Sequence, residues 1–355
     1  MDLKDALSSH GVEQVTLCRD VSTGYVGIIA VHSTVLGPAV GGTRVWAYDS
    51  LDDAFTDALR LSRGMTYKNA LAGLPFGGGK AVILGPAPGP GPARDAFFRA
   101  HGRYVDRMGG MFITGEDVGT SPDDMESIAQ ETDFVAGRVR GMGDPSPFTA
   151  LGVRRAMEAV AAETWGSDDL AGKKVAIQGL GNVGGNLAAE LYEAGARLVV
   201  CDPDQERVAS AVTLYRAEPV SVDAILDAEA DIFAPCAMGG VLDDDAVGRL
   251  RVAAVCGGAN NQLLRSEHGE RLRERGVRYV PDYVANAGGV ISGSVDIAGW
   301  DMDRMSEALD QIYHTVREVF ALASNLGVGT HVAADRMAEA RLAAAQHRWG
   351  GGAEA

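Results

Sequence analysis

Residues 13–18 (EQVTLC) and 25–32 (YVGIIAVH) are short runs rich in β-branched side chains, with Thr23 and Gly24 between them. That pattern predicts two strands joined by a turn. In LDDAFTDALRLSRGM, Leu51, Phe55 and Leu59 recur every four residues, and Asp52 and Asp53 lie at the start. The spacing predicts a helix whose first turn carries acids that suit the helix dipole. The stretch GPAPGPGP at 85–92 cannot hold a helix or an interior strand, because proline lacks a backbone donor; it is expected to be a stiff exposed loop. Residues 94–108 read as a helix and MFIT at 111–114 as a strand.

From Lys173 onward the rhythm changes. Apolar strand candidates at 175–178, 198–201, 230–234, 252–256 and 277–280 alternate with helical patterns, which predicts a parallel sheet covered by helices on both faces. The joint is expected between Arg138 and Pro147, where GMGDPSP is poor in apolar residues. Met305, Leu309, Ile312, Val316 and Val319 mark an amphipathic helix over 302–326, stopped by Gly327. A last helix, about 333–348, is expected to pack back on the first domain, and the tail GGGAEA to be disordered. The fold class is therefore α/β in two domains: an N-terminal α/β substrate and catalytic domain (1–140) and a Rossmann-type dinucleotide-binding domain (148–330), separated by a cleft.

Composition narrows the function. The 355 residues carry a formal net charge of -16, which repels phosphate backbones and argues against nucleic-acid binding. No segment reaches the roughly 20 apolar residues of a membrane helix, and Met1–Ser9 lacks the apolar core of a signal peptide, so a cytoplasmic location is expected. Cys18, Cys201, Cys236 and Cys256 are far apart and show no metal-ligand spacing; buried reduced thiols, and no metal, are expected.

In KKVAIQGLGNVGGNLAAELYEAGARLVVCD, a strand leads into Gly179-x-Gly181-x-x-Gly184, a helix, and a second strand that ends in Asp202. The glycines allow a tight turn, close approach of a pyrophosphate and close helix packing, and free N–H groups at the helix start can bind phosphate. Strand, glycines, helix and acid in this order point to a dinucleotide. The Asp202 carboxylate can accept from a ribose 2'-hydroxyl and would repel a 2'-phosphate, which favours NAD over NADP. Asn182 and Val183 complete the expected cofactor loop.

In GMTYKNALAGLPFGGGKAVI, Lys68 and Lys80 flank Gly77–Gly79. Two neighbouring cations in apolar surroundings would each disfavour protonation of the other, so one could serve as a base; two solvated lysines beside a loop is the plainer alternative. A phosphate loop fails on spacing, since Leu74 and Ala81 stand where Gly and Ser or Thr are needed. In ITGEDVGTSPDDM, Glu116 and Asp117 follow a strand candidate, and spacing does not choose between them; Asp123 and Asp124 read as helix starters.

The segments MTYKNALAGLPFGGGKAVI, TGEDVGT, DPSPFTALGV, QGLGNVGGN, APCAMGG, GGANNQL and YVPDYVANAGGV, in this order, resemble the glutamate, leucine, phenylalanine and valine dehydrogenase family from about residue 13 to residue 340. The resemblance implies NAD-dependent oxidative deamination of an L-amino acid, reversible, by a homo-oligomer. It implies that Lys68 binds the substrate carboxylate, Lys80 assists the attacking water and Asp117 shuttles protons at the amine. Thr149 and Asn260 or Asn261 are placed near the cofactor. Val40, Gly41, Gly115, Val290 and Gly293 are placed near the substrate.

The glutamate-specific members carry a lysine where this chain has Val40, so an apolar substrate is expected. Compared with the leucine dehydrogenases it resembles, the chain is smaller at three pocket positions: Val40 for Leu, Gly115 for Ala and Gly293 for Val. Refilling by Met65 or Phe112 would cancel the effect at any one of them, but three reductions point to an aromatic substrate, L-phenylalanine or L-tryptophan. The alternatives are a leucine or valine substrate, or a non-catalytic NAD-binding sensor.

Overall fold

A computed structural model describes residues 7, 8, 10–139 and 141–350; most of Met1–Ser9 and the tail from residue 351 lie outside them. The first half opens with β1 (Gln14–Asp20) and β2 (Tyr25–Ser33). They form an antiparallel pair in the register Gln14↔Val31 to Asp20↔Tyr25. Asp20 closes the turn by accepting from the backbone N–H of Ser22 and Thr23. Then come β3 (Ala39–Trp46), α1 (Leu51–Leu71), β4 (Gly77–Leu84), α2 (Pro92–Asp106), β5 (Phe112–Glu116) and α3 (Pro122–Ala129). The five strands lie in the order β1-β2-β4-β3-β5, so β4 is central. It runs antiparallel to β2 and parallel to β3.

Two apolar layers sandwich this sheet. Tyr25, Phe97, Phe98, Phe112 and Met125 fill one face, where α2 and α3 pack. Ile28, Ala30, Leu59 and Val82 fill the other, under α1. A fully buried side chain of this size contributes on the order of 2–3 kcal/mol. Helix α1 begins where Ser50 accepts from the Asp53 N–H. Helix α3 begins with Ser121, and its buried Asp124 returns to the Ser121 N–H while gripping Arg94. Asp124 therefore does more than start a helix. Pro92, expected in the loop, instead opens α2, where a missing N–H costs nothing.

The second half contains α4 (Ser146–Trp165), β6 (Lys174–Gln178), α5 (Asn182–Glu193), β7 (Arg197–Cys201), α6 (Gln205–Tyr215), β8 (Glu218–Pro219), β9 (Ile232–Pro235), α7 (Asp244–Arg249), β10 (Ala254–Val255), α8 (Ser266–Glu274) and β11 (Arg278–Tyr279). Its six strands are all parallel, in the order β11-β10-β9-β6-β7-β8. The chain ends with α9 (Asp282–Ala285), α10 (Gly288–Ala298), α11 (Met302–Leu326) and α12 (Thr330–Gly350). Gly327 caps α11 in the left-handed conformation, at φ 66°.

The chain makes two compact units. One joins the residues up to Asp144 with Gly293–Trp300 and the segment from Ala338; the other joins Pro145–Ser292 with Asp301–Met337. This differs from the expected block 148–330. Helix α10 changes unit at Gly293, because the Asp296 carboxylate beyond it accepts from the Met142 N–H. Helix α12 reaches α1, where Arg341 donates to the carbonyls of Ala70 and Leu71 and Tyr67 donates to Glu339.

Candidate active site

The glycine run Gly77–Gly79 is strand rather than loop, and its lack of side chains has a steric cause. A Cβ at Gly77 would strike the Ser33 carbonyl, one at Gly78 the backbone of Thr66 in α1, and one at Gly79 the ring of Phe112. The neighbours therefore close tightly around β4, and Lys80 is the first side chain the strand projects. It lies on the central strand beside Ala30 and is 5 % exposed.

The charged partner of Lys80 is Asp117, with Nζ 2.9 Å from Oδ2. The spacing suggests Lys68 as the group that sets the state of Lys80; the fold places a carboxylate against it. Asp117 leaves the end of β5, and its N–H donates to Thr120 Oγ1 at 2.9 Å. Burial pushes the Asp117 carboxyl up, but the attraction of Lys80 and Arg44 outweighs it and holds the group at about 2. Glu116, left open as the alternative, is exposed. Lys68 lies half-buried in the last turn of α1.

Arg44 was not singled out in the sequence. Its Nε donates to Asp117 Oδ2 at 3.0 Å and its Nη1 to Asp57 Oδ2 at 3.1 Å. Asp57 also accepts from the Tyr48 hydroxyl at 2.6 Å and from Arg60. The signal for Arg44 in the sequence is its place just after Val40 and Gly41, and Asp57 lies on the helix that the four-residue repeat predicts.

Among the pocket candidates, Val40 is buried in β3. Gly41 is obligatory, because a Cβ would collide with the Gly79 carbonyl. Gly115 and Gly293 are different. A Cβ on Gly115 would meet only the Ala136 carbonyl oxygen at 3.8 Å, and one on Gly293 nothing within 4 Å. Neither has the positive φ that demands glycine. Val290 is half-buried in α10.

In the second unit, Gly179 takes a φ of +94°, and a Cβ on Gly184 would strike the Gly179 carbonyl. Gly181 caps α5, and Asn182 and Val183 form its first turn. Asp202 is 8 % exposed, and its oxygens accept from the N–H groups of Leu180 and Asp204 at 2.7 and 2.8 Å. Its observed task is to tie the glycine loop to the end of β7, while each oxygen keeps a lone pair for a ribose hydroxyl. A cavity of about 560 Å³ opens beside this loop, lined by Leu180, Gly181, Asn182, Asp204 and Arg207 among others. Thr149 donates to the Pro145 carbonyl in the first turn of α4 and lies against Gly289. Asn260 accepts from Asn286 at 2.7 Å; Asn261, at φ 52°, donates through its N–H to Asp282. Asn286, quoted in the NAGG motif but given no role, is buried, and its Oδ1 has no hydrogen-bond partner among the described residues. Gly179 and Gly184, which leave no room for a Cβ, a helix start at Gly181 without a side-chain cap, and the buried Asn286 Oδ1 fit a dinucleotide. Among the described residues no cluster of His, Cys, Asp and Glu could hold a metal, and no helix is long and apolar enough to cross a membrane.

Residues 12–134 match the family model "Glu/Leu/Phe/Val dehydrogenase, dimerisation domain", and residues 141–211 and 204–350 match "Glutamate/Leucine/Phenylalanine/Valine dehydrogenase". The chain is 48 % identical to leucine dehydrogenase of Geobacillus stearothermophilus, over 96 % of this chain and 94 % of the relative. It is 43 % identical to phenylalanine dehydrogenase of Caldalkalibacillus thermarum, over 95 % and 92 %. It superposes on the crystal structure of L-tryptophan dehydrogenase from Nostoc punctiforme with a TM-score of 0.85 and 41 % identity, covering 97 % of this chain and all of that one.

Proposed function

This chain belongs to the glutamate/leucine/phenylalanine/valine dehydrogenase family, and on that premise we propose that it oxidatively deaminates an aromatic L-amino acid with NAD. It is an amino acid dehydrogenase, an oxidoreductase acting on the CH–NH2 group. The buried Lys80–Asp117 pair carries the catalytic reading.

When bound, NAD supplies the acceptor for the substrate's Cα hydride. Gly179, Gly181, Asn182, Val183 and Gly184 would hold its pyrophosphate and Asp202 its ribose, with Thr149, Asn260 and Asn261 nearby. The choice of NAD over NADP rests on the Asp202 carboxylate, which can accept from a ribose 2'-hydroxyl and would repel a 2'-phosphate. The chain's own residues do the remaining work. Lys68 anchors the substrate carboxylate by charge. Asp117, ionised at neutral pH, takes a proton from the ammonium nitrogen, so the lone pair is available as the C–H bond breaks. Lys80, having released its own proton to solvent, accepts a proton from the water that attacks the resulting iminium carbon, and the carbinolamine forms. Asp117 gives its proton to the carbinolamine nitrogen and, as the C–N bond breaks, takes up the hydroxyl proton, which leaves the 2-oxo acid and ammonia.

The open space at Gly115 and Gly293 favours an aromatic side chain, since both positions accept a Cβ without collision yet carry none. A leucine or valine substrate is the second reading, favoured by the 48 % identity to a leucine dehydrogenase. NADH absorbance with a panel of L-amino acids decides. The expected result is a higher kcat/KM for phenylalanine or tryptophan than for leucine or valine, with Gly115→Ala plus Gly293→Val shifting the preference toward leucine; a methylene in an apolar pocket is worth about 1–3 kcal/mol. A clear leucine or valine preference would overturn the aromatic assignment, and no turnover at all would favour a sensor. Self-association through the dimerisation-domain segment is part of the same proposal.

A further inference from the structure

Asp117 is held asymmetrically. Lys80 Nζ and Arg44 Nε both address Oδ2, at 2.9 and 3.0 Å, and no hydrogen bond reaches Oδ1 among the described residues. The guanidinium that helps to fix Oδ2 is itself fixed. Its second edge meets Asp57 on α1, which is also bound by Tyr48 and Arg60. The side chains of Arg44, Asp57 and Asp117 are 16 %, 14 % and 14 % exposed, so solvent screens this row weakly.

The two cations differ in kind. A lysine can give up its proton and, on the reading above, must do so in the cycle; a guanidinium does not. We propose that Arg44 is a positioning residue for the reaction: its permanent charge keeps Asp117 ionised, with Oδ1 open to the amine, while Lys80 passes through its neutral state. Asp57 and Tyr48 hold the guanidinium in register. Only a planar fork can hold two carboxylates on different elements in this way, so lysine would replace the charge but not the geometry. The other charged groups to reckon with are Glu116 beside Asp117, Asp124 and Asp144, both of which act on Glu116, and Lys68 on α1.

The inference rests on the catalytic reading of Lys80 and Asp117, and its test separates the two. kcat/KM is measured against pH for the wild type, Arg44→Met, Arg44→Lys, Asp57→Asn and Asp117→Asn, with the best amino acid of the panel, and thermal unfolding together with NADH fluorescence checks that both units are folded. Removing a nearby permanent cation makes the Lys80–Asp117 pair keep its proton longer. In Arg44→Met the acid limb should therefore move up by about one pH unit or more, with kcat at least tenfold lower and NADH binding unchanged. Arg44→Lys should restore the limb but not the full kcat. Asp57→Asn should lower kcat with the limb in place.

An unmoved limb in soluble, NADH-binding Arg44→Met would overturn the inference, because a merely structural arginine would lower the rate without shifting the profile. If Arg44→Met does not fold, wild-type kcat in both Arg44→Lys and Asp57→Asn would overturn it as well. Wild-type turnover by Asp117→Asn would instead sink the catalytic reading itself.

Discussion

Single side chains in this molecule are set by the atoms that close around them. His101 shows this in the core of the first unit: it is fully buried, with Nδ1 2.8 Å from the Tyr25 hydroxyl and Nε2 2.9 Å from Thr43 Oγ1. Burial drives it down to about 3, so the folded ring stays neutral while the unfolded one, near 6.5, takes up a proton. The stability this gives is complete above pH 6.5 and is lost as pH falls from there toward 3. At pH 5 the loss is about 2 kcal/mol. Urea unfolding at pH 7 and pH 5 should show a loss of more than that size in the wild type, because burial also drives His32 down, to about 4, and His101→Gln should narrow the loss by about 2 kcal/mol; equal losses in both proteins would refute the assignment. Such contacts are not legible in the sequence, since Tyr25, Thr43 and His101 come from three elements. Lys80 and Asp117 were legible only through the motifs around them, and spacing alone left Asp117 level with Glu116.

Among the elements, those with a clear local pattern are legible in the sequence: the β-branched runs are β1 and β2, the four-residue repeat is α1, and the stripe over 302–326 is α11. Strand β4 escaped notice because its first three residues are glycines, which give no hydrophobic signal and are present because three neighbours press on them. Helix α12 is expected over about 333–348, but what it does at this scale lies in contacts that the sequence does not show. Arg341 Nη1 donates to the carbonyls of Ala70 and Leu71 at the C-terminal end of α1, where Ala70 also accepts from the Gly73 N–H. Arg341→Ala should therefore cost about 1–2 kcal/mol in thermal or chemical unfolding. Because Lys68 lies in the turn being sealed, KM for the amino acid should rise more than kcat falls. Unchanged stability and KM would show that the contact is idle.

At the scale of the whole molecule, the sequence located the joint but not the return of Gly293–Trp300 to the first unit, because α10 runs through Gly293 with no break in its pattern. The residues proposed for acid–base chemistry and those proposed for the cofactor loop nevertheless fall in different units. Lys80→Ala should thus lower turnover by about 10²–10⁴ and leave NADH affinity, read by fluorescence, within about twofold of wild type. A parallel loss of NADH binding would show that the two functions are not separable. The segmented first unit also bears on how the chain is made. Its last segment begins only at Ala338, after the whole of the other unit has left the ribosome. Although domains generally fold from the N-terminus onward during synthesis, the unit that starts first is here the one that finishes last, and Arg341, which donates to the carbonyls behind Lys68, emerges only then.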